Sequence, residues 1–219
     1  MAVPLKEKIN VLFDLIKNKK ILSALLSLKH SGYLFDIGWF NAFLRKESVG
    51  KNNEPIPWVT YPFIDFIIPR LNKNFTIFEY GAGNSTLFYA KYVKRIIAVE
   101  HNRDWLEKIK KILPENAEII FKDDKTSLYE ESVAETKDNY DIIIIDAQKR
   151  IECMKYSIEN LNEAGVIILD DSDRIEYCEV FQIMTKNGFR HLDFWGISPG
   201  YLNRKATTVF YKDKNCLGI

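Results

Sequence analysis

Cysteine is scarce and unpatterned in this chain. Three stand in 219 residues, Cys153, Cys178 and Cys216, too far apart to form a CxxC pair. That excludes a zinc knuckle and a disulfide framework and suits a reducing cytosol. Net charge is nearly absent: 31 Lys and Arg against 30 Asp and Glu leave +1. A nucleic-acid footprint needs a basic excess, so no nucleic-acid partner is expected. No apolar run approaches the roughly 20 residues that span a bilayer. The first residues lack the small-residue cleavage pattern of a signal peptide. The expectation is therefore a cytoplasmic protein without a transmembrane segment. Repeats and low-complexity tracts are also missing. With 47% apolar and 28% charged residues, the chain can bury a full core.

What is present begins with Phe78-Glu79-Tyr80-Gly81-Ala82-Gly83-Asn84-Ser85-Thr86. An apolar run, Phe75-Thr76-Ile77-Phe78, precedes it and reads as a buried strand. Leu87, Tyr89, Ala90 and Val93 follow at helical spacing. A strand, a glycine turn and a helix form a cradle for a nucleotide-like ligand. Gly81 permits the tight turn, and Gly83 lets the backbone approach the ligand. The next strand, Arg95-Ile96-Ile97-Ala98-Val99-Glu100, ends in a carboxylate where a ribose with two free hydroxyls would be gripped. His101 follows it, either over the bound ligand or simply at the surface.

Downstream, strand and helix alternate. Strands are expected near 75–80, 95–100, 117–122, 140–146, 165–171, 189–195 and 206–212, and helices over 84–94, 103–113, 150–161 and 173–187. Tyr140-Asp141-Ile142-Ile143-Ile144-Ile145-Asp146 suits a central strand buried on both faces of a parallel sheet. No clear helix separates the last two strands, which predicts an antiparallel hairpin at the sheet edge. The fold class is therefore α/β: a Rossmann-like, seven-stranded, mostly parallel sheet with a terminal hairpin and an N-terminal helical extension.

The acid-GxG turn with a second acid after the next strand resembles the first motif of class I S-adenosylmethionine (SAM)-dependent methyltransferases. The likeness runs over roughly residues 60–212. It implies SAM as cofactor, with Glu79, Gly81, Gly83 and Ser85 at its methionine end and Glu100 on the ribose hydroxyls. Ser85 stands where the family commonly has a third glycine. Asp123 or Asp124, after the third strand, matches the position that meets the adenine amino group; the other reading is a solvated turn. A nicotinamide-binding oxidoreductase is disfavoured by Thr86, where its third glycine would fall, and by the terminal hairpin. A polyamine synthase would carry an acidic-serine stretch where this chain has Asp146-Ala147-Gln148-Lys149. A non-catalytic scaffold of the same fold is a further alternative.

In open α/β sheets ligands bind at the carboxyl ends of the strands. Asp146 ends the fourth strand, and Asp170 and Asp171 end the fifth. Three such carboxylates can converge on one hard cation, with magnesium the candidate. The layout is similar to metal-dependent catechol and caffeoyl-coenzyme A O-methyltransferases, with Asp171 in place of the usual Asn. That resemblance implies Asp146, Asp170 and Asp171 as metal ligands and Lys149 as the group that helps deprotonate the acceptor. Without a metal, Asp146 would meet the sulfonium side of SAM or act as general base. Asp170 to Arg174 also reads as a helix cap, with Ser172 or Asp173 at its N-terminus. The expected activity is methyl transfer, most naturally to oxygen, on a small-molecule or glycan-like acceptor. Trp195, Tyr201 and the loop 196–205 are candidates to contact it, as are Trp58 and Tyr61, which read equally as packing residues.

The extension and linker take residues 1–57 and the SAM-binding domain 58–219. Residues 4–45 read as amphipathic helix, with Ile9, Leu12, Phe13 and Ile16 on one face and Lys6, Lys8 and Lys17 on the other. That face could pack on the domain, join a second subunit in a homodimer, lie on a membrane surface or lid the acceptor site. Residues 50–57 read as a linker, and Pro62 as the first turn of a helix capped by Thr60.

Overall fold

The computed structural model describes residues 4–123, 125, 126 and 128–219. Four helices open it: α1 (Leu5–Lys17), α2 (Lys19–Ser27), α3 (Tyr33–Asp36) and α4 (Trp39–Arg45). The expected helical extension is thus built of four helices. Asn18 caps α2 by accepting from the Ile21 amide, and Gly32 and Gly38 adopt positive φ between the later helices. At Gly38 a Cβ would lie 2.3 Å from the Lys51 amide nitrogen, so no other residue fits that crossing. Neither α1 nor α2 buries a single residue, and Leu5, Leu12, Phe13 and Leu26 stay exposed. Their apolar stripe does not pack on the domain. Trp39 and Ala42 of α4 do reach the core.

The expected linker is an ordered turn. Val49 bridges Pro55, the Gly50 amide donates to the Glu54 carbonyl at 2.9 Å, and Ile56 enters the core. Then comes α5 (Tyr61–Ile67), with Pro62 in its first turn. Thr60 precedes it without capping it; its hydroxyl donates to the Phe194 carbonyl at 2.9 Å instead.

The sheet comprises β1 (Thr76–Tyr80), β2 (Arg95–Glu100), β3 (Ala117–Phe121), β4 (Tyr140–Ile145), β5 (Leu161–Asp170), β6 (Arg190–Gly196) and β7 (Lys205–Tyr211). Its order is β3-β2-β1-β4-β5-β7-β6, parallel as far as β5, with β7 antiparallel to both β5 and β6. Between the strands lie α6 (Asn84–Ala90), α7 (Arg103–Lys110), α8 (Ser132–Glu135), α9 (Arg150–Glu159) and α10 (Cys178–Lys186).

Side-chain alternation builds two cores from one sheet. Ile77, Ile142, Ile144, Val166, Ile168 and Val209 face Phe63, Ile67 and Tyr89 on one side. Phe78, Ile143, Ile145, Ile167, Leu169 and Phe210 face Met154, Val180 and Met184 on the other. The uninterrupted isoleucines of β4 are explained by this double burial. Among the described residues no helix is long and apolar enough to cross a membrane.

Candidate active site

The turn after β1 is held from behind. Gly81 takes φ +93°, and a Cβ there would lie 2.4 Å from the Asp146 carbonyl oxygen. Its need for glycine therefore comes from the neighbouring strand end, not from a ligand. Gly83 is different: its φ of 174° is extended, and a Cβ would make ordinary contact with the Trp105 ring at 3.6 Å. Glu79 is buried beneath the turn. Its carboxyl accepts from the Thr86 hydroxyl, which in turn accepts from the Gly83 amide at 3.0 Å. Burial pushes the Glu79 carboxyl up to about 8, against the opposing pull of the Ser85 and Thr86 hydroxyls.

At the end of β2, Glu100 accepts from the amides of Ala82 at 3.2 Å, His101 at 2.9 Å and Asn102 at 2.6 Å. It thereby ties the glycine turn to the start of α7. The Trp105 indole donates to the Ala82 carbonyl at 2.7 Å and completes that tie. In front lies a cleft of about 880 Å³, lined by Gly81, Gly83, Ser85, Glu100, His101 and Asp146 among others. Glu79 does not line it. Asp123 does not line it either: it is exposed and accepts from the Lys125 amide at 3.0 Å, closing a solvated turn. Asp124 lies outside the described residues.

The ends of β4 and β5 bring Asp146, Asp170 and Asp171 together, but not as metal ligands. Arg150 donates to Asp146 at 2.8 Å and to Asp171 at 3.2 Å. Lys205 sits 2.5 Å from Asp170 and 2.7 Å from Asp171. Arg174 also pairs with Asp171, and the Thr207 hydroxyl donates to Asp170 at 2.8 Å. Every carboxylate of the trio is engaged by a side-chain cation. The donor set does not fit magnesium, which wants unpaired oxygens. Among the described residues no group of His, Cys, Asp or Glu side chains is arranged to hold a metal ion. The expectation of a magnesium site at Asp146, Asp170 and Asp171 therefore finds no support here.

Lys149 is also placed elsewhere. Its ammonium contacts Glu130 at 3.2 Å and the Thr126 carbonyl at 3.1 Å, and it lines neither hollow at the strand ends. Asp171 takes φ +53°, a left-handed conformation that Asp and Asn tolerate better than other side chains. Burial would raise its pKa, but Lys205, Arg150 and Arg174 outweigh burial and lower it. The expected cap is absent: Asp173 accepts from the Ala206 amide at 2.8 Å, and Ser172 bonds the Thr208 hydroxyl at 2.7 Å.

A second hollow of about 500 Å³ adjoins the first; Trp58, Asp146 and Arg174 line both. Its walls add Ser198, Tyr201, Asn203 and Lys205. Trp58 and Tyr201 meet there at 5.7 Å between ring centres, and the Trp58 indole donates to the Pro199 carbonyl at 2.8 Å. Tyr61 is a core residue. Trp195 lies on the edge strand beneath the Arg204 guanidinium and lines neither hollow. A further hollow near Leu161, Asn187 and Lys212 lies at the opposite end of the sheet from these groups.

Arg150 escaped sequence reasoning, and Lys205 entered it only as part of the loop 196–205, because the meaning of both depends on which carboxylates they meet. Arg45, Lys46, Glu47 and Ser48 escaped it too, though they wall the cleft. The Asn84 side chain pins that segment by donating to the Ser48 carbonyl at 2.8 Å.

No family model matches the chain, and no curated protein matches it in sequence. Solved structures do match it. A candidate caffeoyl-CoA O-methyltransferase from Staphylococcus aureus superposes with a TM-score of 0.56 at 17% identity, over 89% of this chain and 99% of that one. The chain has the class I methyltransferase fold. Precorrin-6y C5,15-methyltransferase from Geobacter metallireducens shares that fold, with a TM-score of 0.56, 16% identity and coverage of 69% of this chain and 87% of that one. So does an rRNA methylase from Streptococcus thermophilus, at 0.51 and 17%, over 68% and 92%. At these identities the class I likeness is one of architecture, and the relatives' differing acceptors show that the architecture leaves the acceptor open.

Proposed function

We propose that this protein is a SAM-dependent methyltransferase acting on a hydroxyl of a small, glycan-like acceptor. One observation carries the reading: the cleft between the glycine turn and Glu100 opens into a second hollow across Asp146. The larger cleft has the volume of a nucleoside-sized ligand site. Bound there, SAM would supply an already activated methyl group on sulfur.

The chain's own residues then have three tasks. Glu100, with three backbone amides already on its carboxylate, keeps about one more lone-pair site for a ribose hydroxyl. Trp58 and Tyr201 offer faces for the C–H side of a sugar ring, while Ser198 and Asn203 suit its hydroxyls. Asp146, 41% exposed and common to both hollows, accepts the acceptor's proton as the new C–O bond forms and the C–S bond breaks. Most of the rate enhancement comes from holding donor and acceptor in line.

Calorimetry with S-adenosylhomocysteine tests the reading. Wild type should bind it, and Glu100→Ala should weaken binding by at least about tenfold through loss of the ribose contact and of the tie to Ala82. Absence of binding by folded wild type would overturn the proposal and bring the nicotinamide or scaffold alternatives forward.

A further inference from the structure

Lys205 takes up a position that the strand-end chemistry would otherwise leave to a metal. It stands at the start of β7, the antiparallel neighbour of β5. In that register Asp170 pairs with Thr207, so Lys205 lies two positions away on the same face of the strand. Both side chains reach the Asp170 carboxylate, Thr207 at 2.8 Å and Lys205 at 2.5 Å. The ammonium is further surrounded by Asp171 at 2.7 Å and the Trp58 carbonyl at 3.3 Å. An ammonium carries three protons, and these three oxygens can take all of them. Only 17% of the Lys205 side chain is exposed. Sheet register, not a loose loop, puts the charge there.

We infer that Lys205 is the resident cation of the acceptor subsite, gathering Asp170 and Asp171 in place of a divalent metal ion. The inference rests on the reading of the second hollow as the acceptor subsite. It also accounts for Asp171 where metal-dependent relatives would have Asn. Three of the four aspartates at this junction, Asp146, Asp170 and Asp171, face three cations, Arg150, Arg174 and Lys205, while the fourth, Asp173, accepts from the Ala206 amide. The additional negative charge of Asp171 therefore has its partners within the chain. A dication brought among them would meet an ammonium that shares its intended ligands, and Coulomb repulsion at that distance is severe in a half-buried site. The acceptor therefore settles on a floor of ion-paired carboxylates, with Lys205 acting as a positioning residue for Asp170 and Asp171.

The test is uptake of Mn²⁺, read by the electron paramagnetic resonance of the free ion, alongside S-adenosylhomocysteine calorimetry on the same samples. Wild type should take up no more than about a tenth of an equivalent at about 0.1 mM free Mn²⁺. Lys205→Met, which keeps the stem and removes the charge, should gain a site that binds at least about tenfold more tightly. Lys205→Arg should exclude the ion as wild type does. One equivalent bound by wild type and displaced by Mg²⁺ would overturn the inference; so would a folded Lys205→Met that gains nothing. Should that variant fail to fold, Lys205→Gln and the wild-type titration still decide. Loss of S-adenosylhomocysteine binding with the Mn²⁺ pattern intact would sink the methyltransferase reading alone. Mn²⁺ uptake by a wild type that binds S-adenosylhomocysteine would sink the Lys205 inference alone.

Discussion

Gly81 and Gly83 look interchangeable in the motif, and the structure separates them. Gly81→Ala would force a Cβ to 2.4 Å from the Asp146 carbonyl in a backbone conformation at φ +93°. A stability loss of about 2–4 kcal/mol is expected from the combined strain and overlap. Gly83→Ala meets only an ordinary contact and should stay within about 1 kcal/mol of wild type. Urea unfolding of the two variants checks this, and equal costs would refute it. Glu79 provides a second residue-scale prediction. Its folded-state pKa is raised from 4.5 to about 8, chiefly by burial. Above about 4.5 the unfolded chain releases a proton that the folded one keeps, so stability declines as pH rises through that window and levels off past about 8. The decline amounts to at most about 4–5 kcal/mol. In Glu79→Gln the slope between those pH values should be shallower; an unchanged slope would count against the assignment. Of the acids picked out from the motif, Glu100 was legible because it closes a strand. That Glu79 lies behind the turn was not, since strand alternation says which face it takes but not what covers that face.

The helices and strands differ in how much of the molecule depends on them. Because α1 and α2 bury nothing, removing residues 1–31 should shift the melting temperature by less than about 2 °C and leave S-adenosylhomocysteine affinity unaltered. A drop beyond about 5 °C in differential scanning calorimetry would show that the two helices support the domain after all. The following segment is another matter: Trp39 donates to the Tyr201 carbonyl at 3.0 Å, and Ser48 borders the cleft. Most strands were legible to within a residue or so, because Ile142–Ile145 and Val166–Leu169 are apolar runs closed by acids. β5 begins at Leu161, four residues before the expected 165, where Asn162 and Glu163 break the apolar pattern. The early helices were less so. An apolar period of 3.6 announces a helix but not where Gly32 and Gly38 interrupt it, nor whether the stripe finds a partner.

Across the whole molecule, the two hollows meet at Asp146. If it is the base, Asp146→Asn should bind S-adenosylhomocysteine within about threefold of wild type, since an amide oxygen can still accept from Arg150. Turnover of any acceptor that wild type methylates should fall by about 10²-fold or more. Turnover within tenfold of wild type would remove Asp146 from that role. The same junction explains why the metal expectation finds no support. Sequence spacing placed three carboxylates at two neighbouring strand ends, and they do converge. It was silent about Lys205, 34 residues beyond Asp171, pairing with these carboxylates, and about Arg150 turning back onto Asp146.

Local pattern by itself determined the alternation of strand and helix, the buried central strand, the glycine turn and the strand-end acids. These follow from side-chain period and backbone freedom, which are properties of adjacent residues. Tertiary structure alone decided which charges are paired, which glycine is sterically required, and that the segment after α4 walls the cleft. Those outcomes depend on groups brought together by sheet register from distant parts of the chain. An ion pair or a steric clash exists only once both partners occupy the same few ångströms.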